Sequence, residues 1–248
     1  MQLYNYLLTI SYLGNNYHGS QIQKNAVTVQ EVLQNALFEI TMSQTDVKFC
    51  SRTDSGVHAF KFCISFKSDR KLTEYKFLPR INHLLPSDIR ALSLKEVPLD
   101  FHARYSAKGK KYEYYIWNDI TMSPFWEGRT LHLKENLDIS ILNEAALHFI
   151  GQHDFSAFTS KKCSVEDKVR TIYDLSIEHK NDSLYTISIY ADGFLYNMAR
   201  IIVGCLLQCS RGKIAFDDID QYLDGKKKRD NLLITVPSYG LYLREVFY

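Results

Sequence analysis

No Cys-x-x-Cys pair occurs in the chain, and its five cysteines (50, 63, 163, 205, 209) show no metal-like spacing with histidine. A zinc or disulfide framework is therefore not expected. Cys205 and Cys209 stand four apart inside an apolar helical run, which marks them as core. There is no GxGxxG or Walker sequence, so the phosphate-cradling loops of nucleotide-cofactor enzymes are not expected either. No apolar run approaches the length of a membrane span. The N-terminus, MQLYNYLLTISY, lacks a basic n-region and a cleavage site. Together with an odd cysteine count, this points to a reducing cytoplasm. No low-complexity linker and no internal repeat is visible. Net charge is only +2 and pI about 8.2, short of the basic balance that announces a nucleic-acid binder.

What is present is an ordinary globular composition, 46% hydrophobic and 23% charged over 248 residues. That length accommodates one domain or two intimately packed halves, with a core that needs neither disulfide nor metal. Many of the 17 Tyr and 14 Phe fall in alternating runs, which favours β-structure. Positive charge is clustered at Lys108, Lys110 and Lys111, at Lys161, Lys162, Lys168 and Arg170, at Arg211 and Lys213, and over Lys226–Arg229. Such clusters are solvated surface unless they converge on one cleft.

In order, the pattern predicts a strand over 3–12 and a loop, LGNNYHGSQIQKNAV, too polar for core. A helix then starts at the Thr28-Val29-Gln30-Glu31 capping box, with Val29, Val32, Leu33, Ala36, Leu37 and Ile40 on its inner face. A short strand over 46–50, a strand over 57–66, a helix over 73–84 and a strand over 89–97 follow. After a connection at 98–107 comes an aromatic strand, KYEYYIWN. The second half has a helix over 138–150, capped by Asp138 and ended by Gly151, then strands at 171–179 and 184–192 joined at Lys180–Ser183. Helical period begins at Phe194, a short helix spans 216–223, and a strand closes the chain at 240–247. This order implies α+β, with helices against a mostly antiparallel sheet.

The chemistry centres on CSRTDSGVHAFKFCISF, residues 50–66. Asp54 lies in a polar loop directly before a strand, two residues from Arg52, with Gly56 free to bend the backbone. A strand-anchored loop is a good mount for a reactive group, yet Asp in such a loop is more often a turn former. Asp54, Ser55 and His58 include hydrolase-triad residue types but are too close in sequence to align as one. A nearby cation keeps a carboxylate ionised and fit to act as nucleophile or base. Arg200 interrupts an apolar helix face beside Met198, Ile201 and Ile202, where a charge needs a partner or must reach out to solvent. Asp54 is one candidate partner. Tyr112 follows Lys110 and Lys111 and shares a strand face with Tyr114, so it suits either a nucleobase or plain sheet packing.

These residues resemble the TruA family of tRNA pseudouridine synthases. The family stretch G-R-T-D-A-G-V-H is matched by Ser51–His58. Further matches are YxGxxYHGxQ at 12–21, TVQ at 28–30, FHARYSAKGKKYEYYIWN at 101–118, GQHDFSAF at 151–158, FLYNMARIIVG at 194–204 and GLYL at 240–243. The resemblance implies two ferredoxin-like halves, here 1–106 and 107–248, forming one central mostly antiparallel sheet with the active cleft between them. It implies isomerisation of uridine to pseudouridine in RNA without metal or cofactor, by a homodimer. The anticodon stem-loop of tRNA is the leading substrate; ribosomal RNA, or binding without catalysis, is the alternative. By the same resemblance Asp54 is catalytic and Arg200 pairs with it. Arg52 contacts phosphate or the flipped base, Tyr112 lies against that base, and Lys110 and Lys111 join the RNA path. Ser51 and Ser55 replace the family's Gly and Ala. Ser20 stands where an aromatic is common, which predicts altered packing or RNA contact in the first loop.

Overall fold

The computed structural model describes every residue except Met1, Lys162, Ser164 and Asp182. Lys162 of the second basic cluster, Ser164 of the loop beyond it and Asp182 of the hairpin turn therefore lie outside the described residues. In chain order the elements are β1 (Tyr4–Tyr12), α1 (Val29–Thr41), β2 (Val47–Phe49), β3 (His58–Ser68), α2 (Glu74–Leu84), β4 (Ile89–Val97), β5 (Gly109–Asn118), β6 (Leu131–Leu133), α3 (Ile139–Leu147), β7 (Gly151–Asp154), β8 (Val169–Asn181), β9 (Leu184–Ala191), α4 (Met198–Ser210), α5 (Phe216–Leu223) and β10 (Leu241–Phe247). The fold is α+β and mostly antiparallel, as the alternation of periods predicts. The chain divides into two compact units, Met1–Lys108 with Tyr242–Tyr248, and Gly109–Leu241.

In the first unit β1 lies antiparallel between β3 and β4, while β2 and β10 share the other edge of β3, antiparallel and parallel respectively. Register sets Tyr6 opposite Phe66, Leu8 opposite Ile64 and Ile10 opposite Phe62, all buried. Phe77 of α2 stacks on Phe66, and Leu33 and Leu37 of α1 are fully buried. Each such side chain contributes roughly 1.5–3 kcal/mol on leaving water. α1 begins where the capping sequence predicts: the Thr28 side chain accepts from the Glu31 N–H.

Strand β3 sets Phe62, Ile64 and Phe66 on one buried face, and its other face is covered too. Cys63 and Ser65, on its other face, are buried as well. The connection after β4 covers them: Ala103 N–H donates to Ser65 Oγ at 3.0 Å, and the Tyr248 hydroxyl donates to the Ala103 carbonyl at 2.9 Å. Alternation in sequence reports one covered face and cannot register a loop that returns over the other.

In the second unit β5, β9, β8 and β7 form an antiparallel run, with β6 parallel to β5. Ile187, Ile189 and Ile172 of this sheet are buried, as are Leu142, Ala145 and Ala146 of α3 and most of α4, including Cys205 and Cys209. Two helix limits differ from expectation. α3 stops at Leu147, because Phe149 and Ile150 bond three residues back, to Ala146 and Leu147, in a tighter turn. Gly151 instead opens β7. α4 begins only at Met198, because Asn197 adopts φ +63° and so cannot lie within a right-handed helix.

Candidate active site

The loop that carries Asp54 is held by the loop that follows β1. Thr53, its neighbour, is gripped at three atoms. Its N–H donates to Ser20 Oγ at 2.9 Å, its carbonyl accepts from Ser20 N–H at 3.1 Å, and its hydroxyl pairs with the Tyr12 hydroxyl at 2.8 Å. Gly19, at φ +90°, lets the backbones meet: a Cβ there would sit 2.6 Å from the Thr53 carbonyl oxygen. Beyond Asp54 the chain turns through Gly56 at φ +79°, closed by Val57 N–H to the Asp54 carbonyl at 3.2 Å. Ser55 Oγ donates to the Tyr17 carbonyl at 3.3 Å. His58 is wholly buried and its Nδ1 accepts from Gly14 N–H at 2.9 Å, so it is a structural histidine.

The first loop is therefore solvated only in part: Gly14, Tyr17, Gly19 and Ser20 are buried, while most of its other residues are exposed. Ser20 is fully buried, and Tyr17 is buried with its hydroxyl donated to Asp88 at 2.6 Å. Burial and the adjoining Asp88 carboxylate push the Tyr17 phenol well above its ordinary range. The polar backbone tolerates burial because the two loops satisfy each other's hydrogen bonds. Ser20, the departure at the aromatic position, thus has a packing role: it supplies an acceptor beneath the residue next to Asp54. Asp54 itself is half-buried and Arg52 exposed.

The second unit holds the other predicted residues. Tyr112 of β5 is buried, with its ring 4.8 Å from Phe194 in an edge-on contact. Strand alternation sets Lys110 on the face of Tyr112 and Tyr114, and Lys111 on the opposite face with Glu113. Arg200, the third residue of α4, donates from Nε to the Val236 carbonyl at 2.7 Å and from Nη1 to Asn197 Oδ1 at 2.9 Å. Asn197 Nδ2 in turn donates to Ser160 Oγ at 2.7 Å. The strained backbone of Asn197 thus turns its side chain toward the guanidinium instead of capping the helix. Tyr114 donates to the Pro237 carbonyl at 2.9 Å. Burial pushes its phenol up, with Tyr239 adding to that effect and the Arg200 charge opposing it. Tyr114 and Arg200 therefore share one neighbourhood. Sequence reading named Arg200 but gave no role to Asn197, although it lies in the matched stretch at 194–204, nor to Ser160; their part shows in the folded contacts. Among the described residues no three His, Cys, Asp or Glu side chains cluster as a metal site requires.

Asp54 is thus a half-buried carboxylate on a loop clamped to an α+β frame. The sequence profile of the family described as tRNA pseudouridine synthase matches residues 8–106 and 145–248. A relative in Ruminiclostridium cellulolyticum, named tRNA pseudouridine synthase A, is 44% identical over 97% of this chain and 98% of its own length. One of the same name in Acetivibrio thermocellus is 44% identical over 98% and 99%. The tRNA pseudouridine synthase A 2 of Bacillus anthracis is 37% identical over 98% of both. The chain belongs to the tRNA pseudouridine synthase family.

Proposed function

We propose that the protein isomerises uridine to pseudouridine in tRNA, with Asp54 as the catalytic residue. The observation that carries this is family membership along nearly the whole chain, joined to the clamp on Thr53 that fixes the backbone at Asp54. In the reaction the bond from ribose C1′ to uracil N1 breaks and C1′ joins C5. The C5 proton leaves and N1 ends protonated, so substrate and product are isomers and no co-reactant is consumed. The target uridine must first leave its stack, at a cost of roughly a few kcal/mol that binding supplies.

Asp54 acts on the flipped nucleotide as an ionised carboxylate, and Arg200 is its charge partner. Asn197 and Val236 hold that guanidinium. Tyr112, braced by Phe194, lies against the flipped base. Arg52, exposed in the same loop as Asp54, takes phosphate or fills the place the base vacates. Lys110 serves the RNA on the Tyr112 side, whereas Lys111 reaches phosphate from the other face of β5. These contacts are independent of sequence and weaken with salt. The target is the anticodon stem-loop, the working form a homodimer, and the compartment the cytoplasm. No described helix is long and apolar enough to cross a membrane.

The test is chemical mapping of pseudouridine in unmodified transcripts of tRNA and of ribosomal RNA fragments after incubation with the protein. Pseudouridine at anticodon stem-loop positions of tRNA is expected. Modification confined to ribosomal RNA overturns the substrate, and tight tRNA binding without any pseudouridine overturns the activity.

A further inference from the structure

Residues 101–107, between β4 and β5, are bound to the first unit more firmly than a connection requires, and none of the roles above uses them. The Asn5 amide donates to the carbonyls of Pro98 and Phe101 at 2.7 and 3.0 Å. Ala103 is fully buried, its N–H on Ser65 Oγ and its carbonyl under the Tyr248 hydroxyl. Ser106 N–H donates to the His102 carbonyl at 2.9 Å, and His102 N–H to Ser106 Oγ at 3.1 Å. The His102 ring accepts from Arg104 N–H at 3.0 Å and Tyr105 N–H at 3.4 Å through Nδ1. This rigid mount presents Tyr105, which is 78% exposed.

A single exposed tyrosine needs no explanation. Tyr105 differs in its setting. The His102 ring lies 4.4 Å from its ring, and the Arg104 guanidinium stands 5.9 Å from its centroid, within cation–π range. Both neighbours limit how far the ring can swing while leaving most of its surface to solvent. From Phe101 to Lys111 the sequence carries Arg104, Lys108, Lys110 and Lys111 and no acidic residue. A preorganised aromatic face edged by cations matches an unpaired nucleobase with its phosphate: the base stacks and the phosphate meets the guanidinium. An apolar partner would be left facing uncompensated charge.

We infer that Tyr105, framed by His102 and Arg104, is a stacking platform for an unpaired base of the RNA substrate, with Arg104 taking the adjacent phosphate. This rests on the tRNA reading above.

The test uses the full chain with a tRNA transcript, measuring affinity by filter binding at several salt concentrations and turnover by tritium release from uridine C5. Tyr105→Ala should weaken binding by about 5- to 100-fold, the range of losing one base–aromatic stack. Tyr105→Phe should bind as wild type. At saturating RNA the Tyr105→Ala turnover should match wild type while the half-saturating RNA concentration rises. Arg104→Ala should lower the salt slope by about one, and Tyr105→Ala should leave it unchanged. Thermal melting of both Tyr105 variants should equal wild type, because the ring is largely exposed. Equal affinity of wild type and Tyr105→Ala overturns the platform. So does a loss of self-association in Tyr105→Ala without a change in RNA affinity, which would make the tyrosine a contact with a second copy. If wild type itself binds no tRNA, the underlying function fails instead, and the two failures are distinct.

Discussion

Replacing Ser20 with alanine isolates the clamp beneath the proposed catalytic aspartate. The substitution removes one hydroxyl and leaves the Ser20 N–H to Thr53 carbonyl bond intact. What it takes away is the acceptor of the Thr53 N–H, at 2.9 Å. Ser20 is fully buried and Thr53 nearly so, which leaves little access for water to take over. An orphaned buried donor costs about 1–3 kcal/mol, against about 0.5–1.5 kcal/mol for an exchangeable hydrogen bond. Thr53 would relieve that cost by shifting, and Asp54 moves with it. A displacement of order 1 Å at a reacting group costs about 10²-fold in rate. Ser20→Ala should therefore lose about 1–3 kcal/mol in denaturant unfolding and lose C5 tritium release well beyond any loss of tRNA affinity. A variant as stable and as active as wild type would refute the clamp as what fixes Asp54.

Gly19→Ala should be worse. It places a side chain at φ +90° with its Cβ 2.6 Å from the Thr53 carbonyl, adding about 1–2 kcal/mol of backbone strain to about 1–3 kcal/mol of overpacking, measurable by chemical denaturation. Asn197→Gly keeps the positive φ but removes the amide that links Ser160 to Arg200. Turnover should fall about tenfold or more at unchanged RNA affinity in single-turnover kinetics. Acid should loosen the second unit: the hydrogen bond from Lys227 holds the Asp218 carboxyl below its ordinary range, and Arg211 does the same for Glu135. A depressed carboxylate contributes stability above its unfolded pKa, about 4, and that contribution is lost as pH falls through the lower folded value. Melting temperature should thus drop below about pH 4, and Asp218→Asn should flatten the drop.

Element types were legible because the hydrophobic period is strong wherever one face packs. α1 announces itself by Thr28 and an inner face of Leu33, Leu37 and Ile40, and β4 and α5 have the limits their patterns predict. Limits fail where the backbone, not the side chains, decides. Asn197 at φ +63° stops helical period from becoming helix, and tight turns end α3 early. Asp54, Arg52, Tyr112 and Arg200 were nameable as residue types out of place or matching a motif. Their supports were not. Ser20 looks like solvated loop, and only the fold shows it buried under Thr53. Lys110 and Lys111 looked equivalent until strand alternation set them on opposite faces. A lattice of hydrogen bonds between two loops leaves no periodic trace, since each residue's partner lies more than thirty positions away.

The central claim is that Asp54 drives the isomerisation, and the most direct measurement is tritium release from C5-labelled uridine in tRNA by wild type and by Asp54→Asn. Wild type should release tritium in step with pseudouridine formation. Asp54→Asn, nearly isosteric, should bind the same tRNA with similar affinity and release none. Release at the wild-type rate by Asp54→Asn would contradict the account.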